Sequence, residues 1–149
     1  MTLSRRSRTA HRLGPSEITE DLVDLNFTTA DTFAEGDLAY VNASGYILRA
    51  QANASASMHA IGALVKAAAS GLQASIRNRG PFDSTNYDFS GFIGRYAYVS
   101  TSTAGAIQTN APGLSGQIVQ VVGYMAERRK LVISLGHAFQ RTGSGDHIG

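Results

Sequence analysis

Catalysis by side chains needs a nucleophile beside a base, a paired acid and base, or a metal held by clustered ligands. The four histidines and eleven carboxylates are therefore the first places to look. The histidines stand at His11, His59, His137 and His147, with no HExxH and no pair at the spacing of zinc ligands. His137, Asp146 and His147 are close enough in sequence to converge on an ion, but the "TGSG" between them fixes no geometry, and no metal site is expected. "PGLSGQ" sets Ser115 between glycines without the spacing of a nucleophile elbow and reads as a turn. Neither GxxxxGK[ST] nor GxGxxG occurs, so no phosphate cradle and no cofactor is expected. Outside the N-terminal third the carboxylates are Asp83, Asp88, Glu127 and Asp146, too scattered for a general acid and its base. The chain reads as a protein that is not an enzyme.

Composition narrows the class. Cysteine is absent, so neither disulfides nor thiolate metal sites hold the fold. A chain of 149 residues fits one domain, and a domain of that size buries roughly 70% of its unfolded surface. Charged residues are 16% of the chain, below the roughly 25% usual for soluble domains, which points to a surface partly covered by partners. The net charge of +2 hides a partition: Arg5, Arg6, Arg8 and Arg12 occupy the first thirteen residues with no acid, and seven of the eleven acids follow between Glu17 and Asp37. No apolar run approaches the roughly 20 residues that span a bilayer, so no membrane association is expected. The Arg- and Ser-rich start lacks the apolar stretch of a secretory signal and is read as part of the working protein. Four arginines would neutralise about four phosphates of a nucleic acid, yet the acids beside them would repel a polyanion. Pairing with carboxylates of a protein neighbour is the preferred reading.

What must position any function is a doubled β pattern. "GDLAYVNASGYILRA" from Gly36 and "GRYAYVSTSTAGAIQT" from Gly94 align Tyr40 with Tyr98 and Val41 with Val99, and Gly62 then falls close to Gly123. Each copy runs as a β-rich segment, a Ser/Thr/Asn-Gly turn, an apolar-polar strand, a polar connection and a further β-rich run. Two such units are expected to bury a common core. The second copy is plainly β, with strands around Ile118 to Val122 and Leu131 to Leu135 and "AERRK" as the turn between them. In the first copy nine of the twenty residues from Ala50 to Ala69 are alanine, a helix former. The glycines and the match to the second copy favour strand there, and strand is the reading adopted.

Two segments flank these copies. In "SEITEDLVDL", Ile18, Leu22 and Leu25 stand at helical spacing, which fits either a short docked helix or an acidic irregular arm. Between the copies "RNRGPFDSTNYDFSGFIG" reads as a long loop. Its Phe82, Tyr87, Phe89 and Phe92 either fold back as a lid or form a subunit interface or ligand surface. The expected organisation is an extended N-terminal arm over 1–32, a doubled β-domain over 33–136 and a C-terminal tail over 137–149. The expected fold class is all-β, a small barrel or sandwich built from two similar halves.

With their Gly-Asp start, Tyr-Val strand, Ser-Gly turn and later Val-Gly strand, residues 33 to 135 resemble the doubled β-modules of phage capsid decoration (cement) and head-fibre proteins. Arg95 stands where the second copy would be expected to carry the aspartate. The resemblance implies a structural virion protein on the capsid exterior, assembled in the host cytoplasm, trimeric and bound to the major capsid protein. It implies a capsid-binding arm, for which Leu3, Leu13, Ile18, Leu22, Leu25 and Phe27 would supply burial while Arg5, Arg6, Arg8 and Arg12 set register. The alternatives are a tail or fibre host-attachment module using the aromatic loop, and a small nucleic-acid-binding β-barrel using Tyr40 or Tyr98 as stacking platforms.

Overall fold

The computed structural model describes residues 22–53 and 55–142. In chain order the strands are β1 (Val23–Thr28), β2 (Leu38–Val41), β3 (Ile47–Arg49), β4 (Gly62–Leu64), β5 (Gln73–Asp83), β6 (Tyr96–Val99), β7 (Ile107–Gln108), β8 (Ile118–Val119), β9 (Val121–Glu127), β10 (Lys130–Ile133) and β11 (Phe139–Gln140). The fold is all-β. One strongly curled sheet, a half-barrel, runs β3-β2-β4-β5-β10-β9-β6-β7 with β1 also on β5, and β11 pairs β8 apart from it.

The sheet order reads as two mirrored quartets, and the strand registers show that they are the two sequence copies. Ala39 faces Gly62 as Ala97 faces Gly123, Val41 faces Ile47 as Val99 faces Ile107, and Leu64 faces Ile76 as Met125 faces Leu131. The entry into each copy is tied the same way. Gly36 N–H donates to Leu64 O at 2.8 Å and Gly94 N–H to Met125 O at 2.7 Å, while Asp37 O and Arg95 O each accept, from Leu64 and Met125, at 2.9 Å. Gly62 and Gly123 sit at φ 149° and 157°, and a Cβ at either would run into a backbone oxygen of the next strand, that of Arg77 or of Val132. Only glycine allows β4 and β9 to approach their neighbours so closely.

Register also extends the duplication past the part legible in sequence. Leu25 of β1 lies opposite Ile76, and Phe82 in the second half of β5 lies opposite Leu131. Because Ile76 and Leu131 are equivalent, β1 opens the first copy as residues 80–83 open the second. The eleven-residue β5 therefore closes one copy and begins the other.

Two expectations are corrected here. The helical spacing of Leu22 and Leu25 does not become a helix: Val23–Thr28 is a strand hydrogen-bonded along β5, because its Val, Phe and Thr fit a pleated edge and the adjacent strand supplies the partners. The long loop expected from Arg77 is strand as far as Asp83. The strand reading of the Ala-rich segment holds, as β4, and its alanines have a packing role. Ala50, Ala52, Ala60 and Ala63 are fully buried where the curled sheet closes on itself. There Leu38 N–H donates to Gly105 O, Ala52 N–H to Ser100 O and Ile118 N–H to Ala52 O, each at 2.8 Å. Buried Gln120 acts as a strand substitute, accepting from Ala60 N–H at 2.8 Å and donating to Ala60 O at 3.0 Å.

The copies bury one common core, as expected, and the first copy has a second, smaller cluster of its own. Ala39, Ile47, Leu64 and Ile76 form that cluster with Phe33 in the first copy, whereas their counterparts Ala97, Met125 and Leu131 belong to the common, larger cluster that Leu38, Ala63 and Phe82 also enter. The first copy's sheet is thus covered on both faces and the second copy's on one.

Gly123→Ala is expected to cost about 2–3 kcal/mol of stability, since both strain and overpacking apply. Gly45→Ala, at φ 84° with open space around it, should cost only about 1 kcal/mol. Thermal or urea melting of the two variants checks this, and equal losses would show that β9 can drift away from β10.

Candidate functional site

Three surfaces concentrate the side chains singled out by sequence. The first is the arm. Leu3, Arg5, Arg6, Arg8, Arg12, Leu13 and Ile18 lie outside the described residues. Leu22 and Leu25 are exposed, and Phe27 is half-buried against the first cluster. Asp24 of β1 forms an ion pair with Arg77 of β5 at 2.5 Å, so this part of the expected arm is fastened to the body.

The second is the aromatic segment 84–93. Phe82, Tyr87 and Phe89, for which a folded-back lid and a subunit interface or ligand surface were the two expectations, are turned inward and buried as a lid would be, and Phe92 packs against the same cluster. Tyr87 stacks on Phe89 at 5.0 Å, meets Phe82 edge-on at 6.0 Å, and donates its hydroxyl to Gly36 O at 2.9 Å. The rings belong inside because this segment repeats, in the second copy, the stretch whose Phe33 plugs the first. Burial, and then the charges of Asp37 and Glu35, push the Tyr87 phenol well up.

Along the rim of these rings lies a cleft of about 290 Å³, walled by Glu35, Asp37, Asn86 and Asp88, floored by Tyr87, Phe89 and Phe92, and closed by the Gly105–Ile107 turn. The two copies meet here: Ser84 Oγ donates to Glu35 at 2.7 Å and Asn86 Nδ2 to Glu35 O at 2.9 Å. Burial raises the Asp37 carboxyl, although the N–H of Ala34 and the charge of Arg49 pull the other way. For Asp31 burial also raises the carboxyl, but hydrogen bonds from Arg49 and Thr32 together outweigh it and hold the group low. The exposed Asp88 is held low mainly by the Ser90 hydroxyl and N–H. Sequence reading missed this cleft because its carboxylates, Glu35 and Asp37 on one side and Asp88 on the other, come from segments some fifty residues apart.

The third surface is a row across four strands, Pro81, Val132, Tyr124 and Tyr96, each directly opposite the next. In the first copy the equivalent positions Ala63 and Leu38 have no exposure, whereas Tyr124 is 43% and Tyr96 62% exposed. Tyrosine suits such a place, because it offers a large apolar ring with a polar tip.

Among the described residues no group of three or more His, Asp or Glu side chains is arranged to hold a metal ion, and no helix is long and apolar enough to cross a membrane. No family model and no curated protein matches the chain.

Because the folded-state pKa of Asp37 is raised, its ionisation opposes folding above that pKa and not below the unfolded value. Its contribution to stability therefore improves as pH falls through the carboxylate range, opposite to Asp31 and Asp88, whose stabilisation is lost there. Asp37→Asn, which keeps an acceptor for Ala34 N–H, is expected to melt higher than the parent at pH 7 and level with it below about pH 4. A gap that persists in acid would assign the effect to something other than ionisation.

Proposed function

We propose that this chain is a structural protein of a virus particle: a capsid decoration protein that sits on the outer face of a phage head, self-associates as a trimer and stabilises contacts between major capsid proteins. The observation that carries the reading is the unequal exposure of one cross-strand row. A duplicated fold covers Leu38 and Ala63 in its first copy and leaves Tyr96 and Tyr124 open in its second, with Leu22, Leu25 and Leu72 adding exposed apolar side chains at the first copy. Such surface on a rigid β body suits covering by other protein. The resemblance of both copies to phage decoration modules supplies the kind of partner. Host attachment through the aromatic segment is the weaker reading, since three of its four rings are internal.

The double variant Tyr96→Ser, Tyr124→Ser should stay within about 0.5 kcal/mol of the parent in stability, as surface changes usually do. Its capture by undecorated phage shells in co-sedimentation, or its trimer in light scattering, should weaken at least about tenfold if the row is an interface hot spot. A variant that trimerises and pellets like the parent would remove the basis of the reading. A parent that is monomeric and ignores shells would turn attention to host surfaces.

A further inference from the structure

We propose that the cleft between the copies is a receptor for arginine side chains, and that its occupant is the basic segment Ser4–Arg12 of a second copy of this chain. The proposal rests on the decoration reading only for self-association, and its test needs no capsid.

Four observations carry it. The cleft is a cavity of side-chain size, about 290 Å³, with a stacked aromatic floor and carboxylates on its walls from both copies. An arginine stem can pack along the rims of these buried rings, beside Arg95, whose guanidinium already lies over Phe92 at 5.6 Å, while its N–H groups reach the walls. Two of the walls lack an ion-pair partner: among the described residues neither Glu35 nor Asp37 is in an ion pair, Arg49, whose charge reaches Asp37, is paired with Asp31 at 3.1 Å, and of the wall carboxylates Asp88 alone is paired, with Arg128 at 3.4 Å. A half-buried carboxylate without a cation is costly, and a cation entering the cleft would remove that cost. The chain also carries the complementary charge in one place, since Arg5, Arg6, Arg8 and Arg12 lie in its first thirteen residues with no acid among them.

Topology allows the segment to come from a second copy. The described chain begins at Leu22, where β1 starts beside Arg79 at the seam between β5 and β10. The cleft lies where the curled sheet closes, at Gly36 and Gly105. From Leu22 back to Arg8 the chain can extend roughly 45 Å, longer than the roughly 35 Å breadth of a body of this size. A segment that leaves at one seam can therefore cross to the other seam of a neighbour, and in a closed ring every cleft would be filled by the copy beside it.

The experiment is sedimentation of the full chain over a range of concentration and salt, with two charge-reversed variants: Arg5→Glu, Arg6→Glu, Arg8→Glu in the segment, and Glu35→Lys, Asp88→Lys in the cleft. The parent should associate, and its dissociation constant should rise at least about tenfold between low and high salt as the pairs are screened. Each variant alone should associate at least about tenfold more weakly. An equimolar mixture of the two should recover association, because the basic segment of one then meets the acidic cleft of the other. Circular dichroism confirms folding, and if the cleft variant does not fold, Asp88→Lys alone, at an exposed position, takes its place. Association that ignores the segment reversal, a mixture that fails to recover, or effects independent of protein concentration, as docking within one chain would give, each overturn the proposal.

Discussion

Everything in this molecule hangs on β5 belonging to two units at once. Its first half completes the first copy against β4, and its second half begins the next against β10. Sharing one strand forces both copies into a single sheet, so their relative placement is set by backbone hydrogen bonds and not by a docking interface. Twist then curls the sheet until its far ends meet, and the closure is made by Leu38 N–H on Gly105 O and Ala52 N–H on Ser100 O. Close approach at that seam leaves room only for small side chains, which is why alanines gather at positions 50, 52, 60 and 63.

The same constraint breaks the symmetry of the cores. Equivalent positions bury equivalent residues, Leu64 with Ile76 and Met125 with Leu131, each side chain contributing about 1.5–3 kcal/mol when withdrawn from water. Once the sheet is curled, however, the inner volume can be filled from both sides only once. The first copy gives its second face to that volume through Leu38 and Ala63, and the second copy's matching face is left outside. An exposed row is thus a geometric consequence of duplication within one sheet, and Tyr96 and Tyr124, with their polar tips, are residues that make it tolerable in water.

Much of this was legible in the sequence. The all-β class, the two copies from Gly36 and Gly94, the strand character of Gly62–Leu64 against its alanines, and a turn within "AERRK", narrower than expected because Ala126, Glu127 and Lys130 are strand and Arg128–Arg129 alone turn, followed from local pattern, because each depends on residues close together in the chain. What escaped was set by pairing at a distance. The entry strand Val23–Thr28 carries apolar spacing that satisfies a helix as well as a strand, and only β5 decides between them. The aromatic segment left lid and interface both open because its glycines, asparagines and serines mark turns, while the direction of its rings depends on the hollow they plug. The cleft was invisible for a related reason: Glu35 and Asp88 become neighbours only when Ser84 and Asn86 tie one copy's entry to the other's.

No single residue of this chain announces a function by its chemistry, so the informative features are the differences between positions that ought to match. Comparing the copies supplies such differences without any relative to compare with. Where Leu38 and Ala63 became Tyr96 and Tyr124, the fold exchanged core for surface. Where Asp37 became Arg95, whose guanidinium lies over the Phe92 ring at 5.6 Å, the charge at the mouth of the second copy was reversed. At this matched position the first copy therefore keeps a carboxylate beside the cleft where the second has a guanidinium, and with Glu35 and Asp88 it makes the cleft acidic.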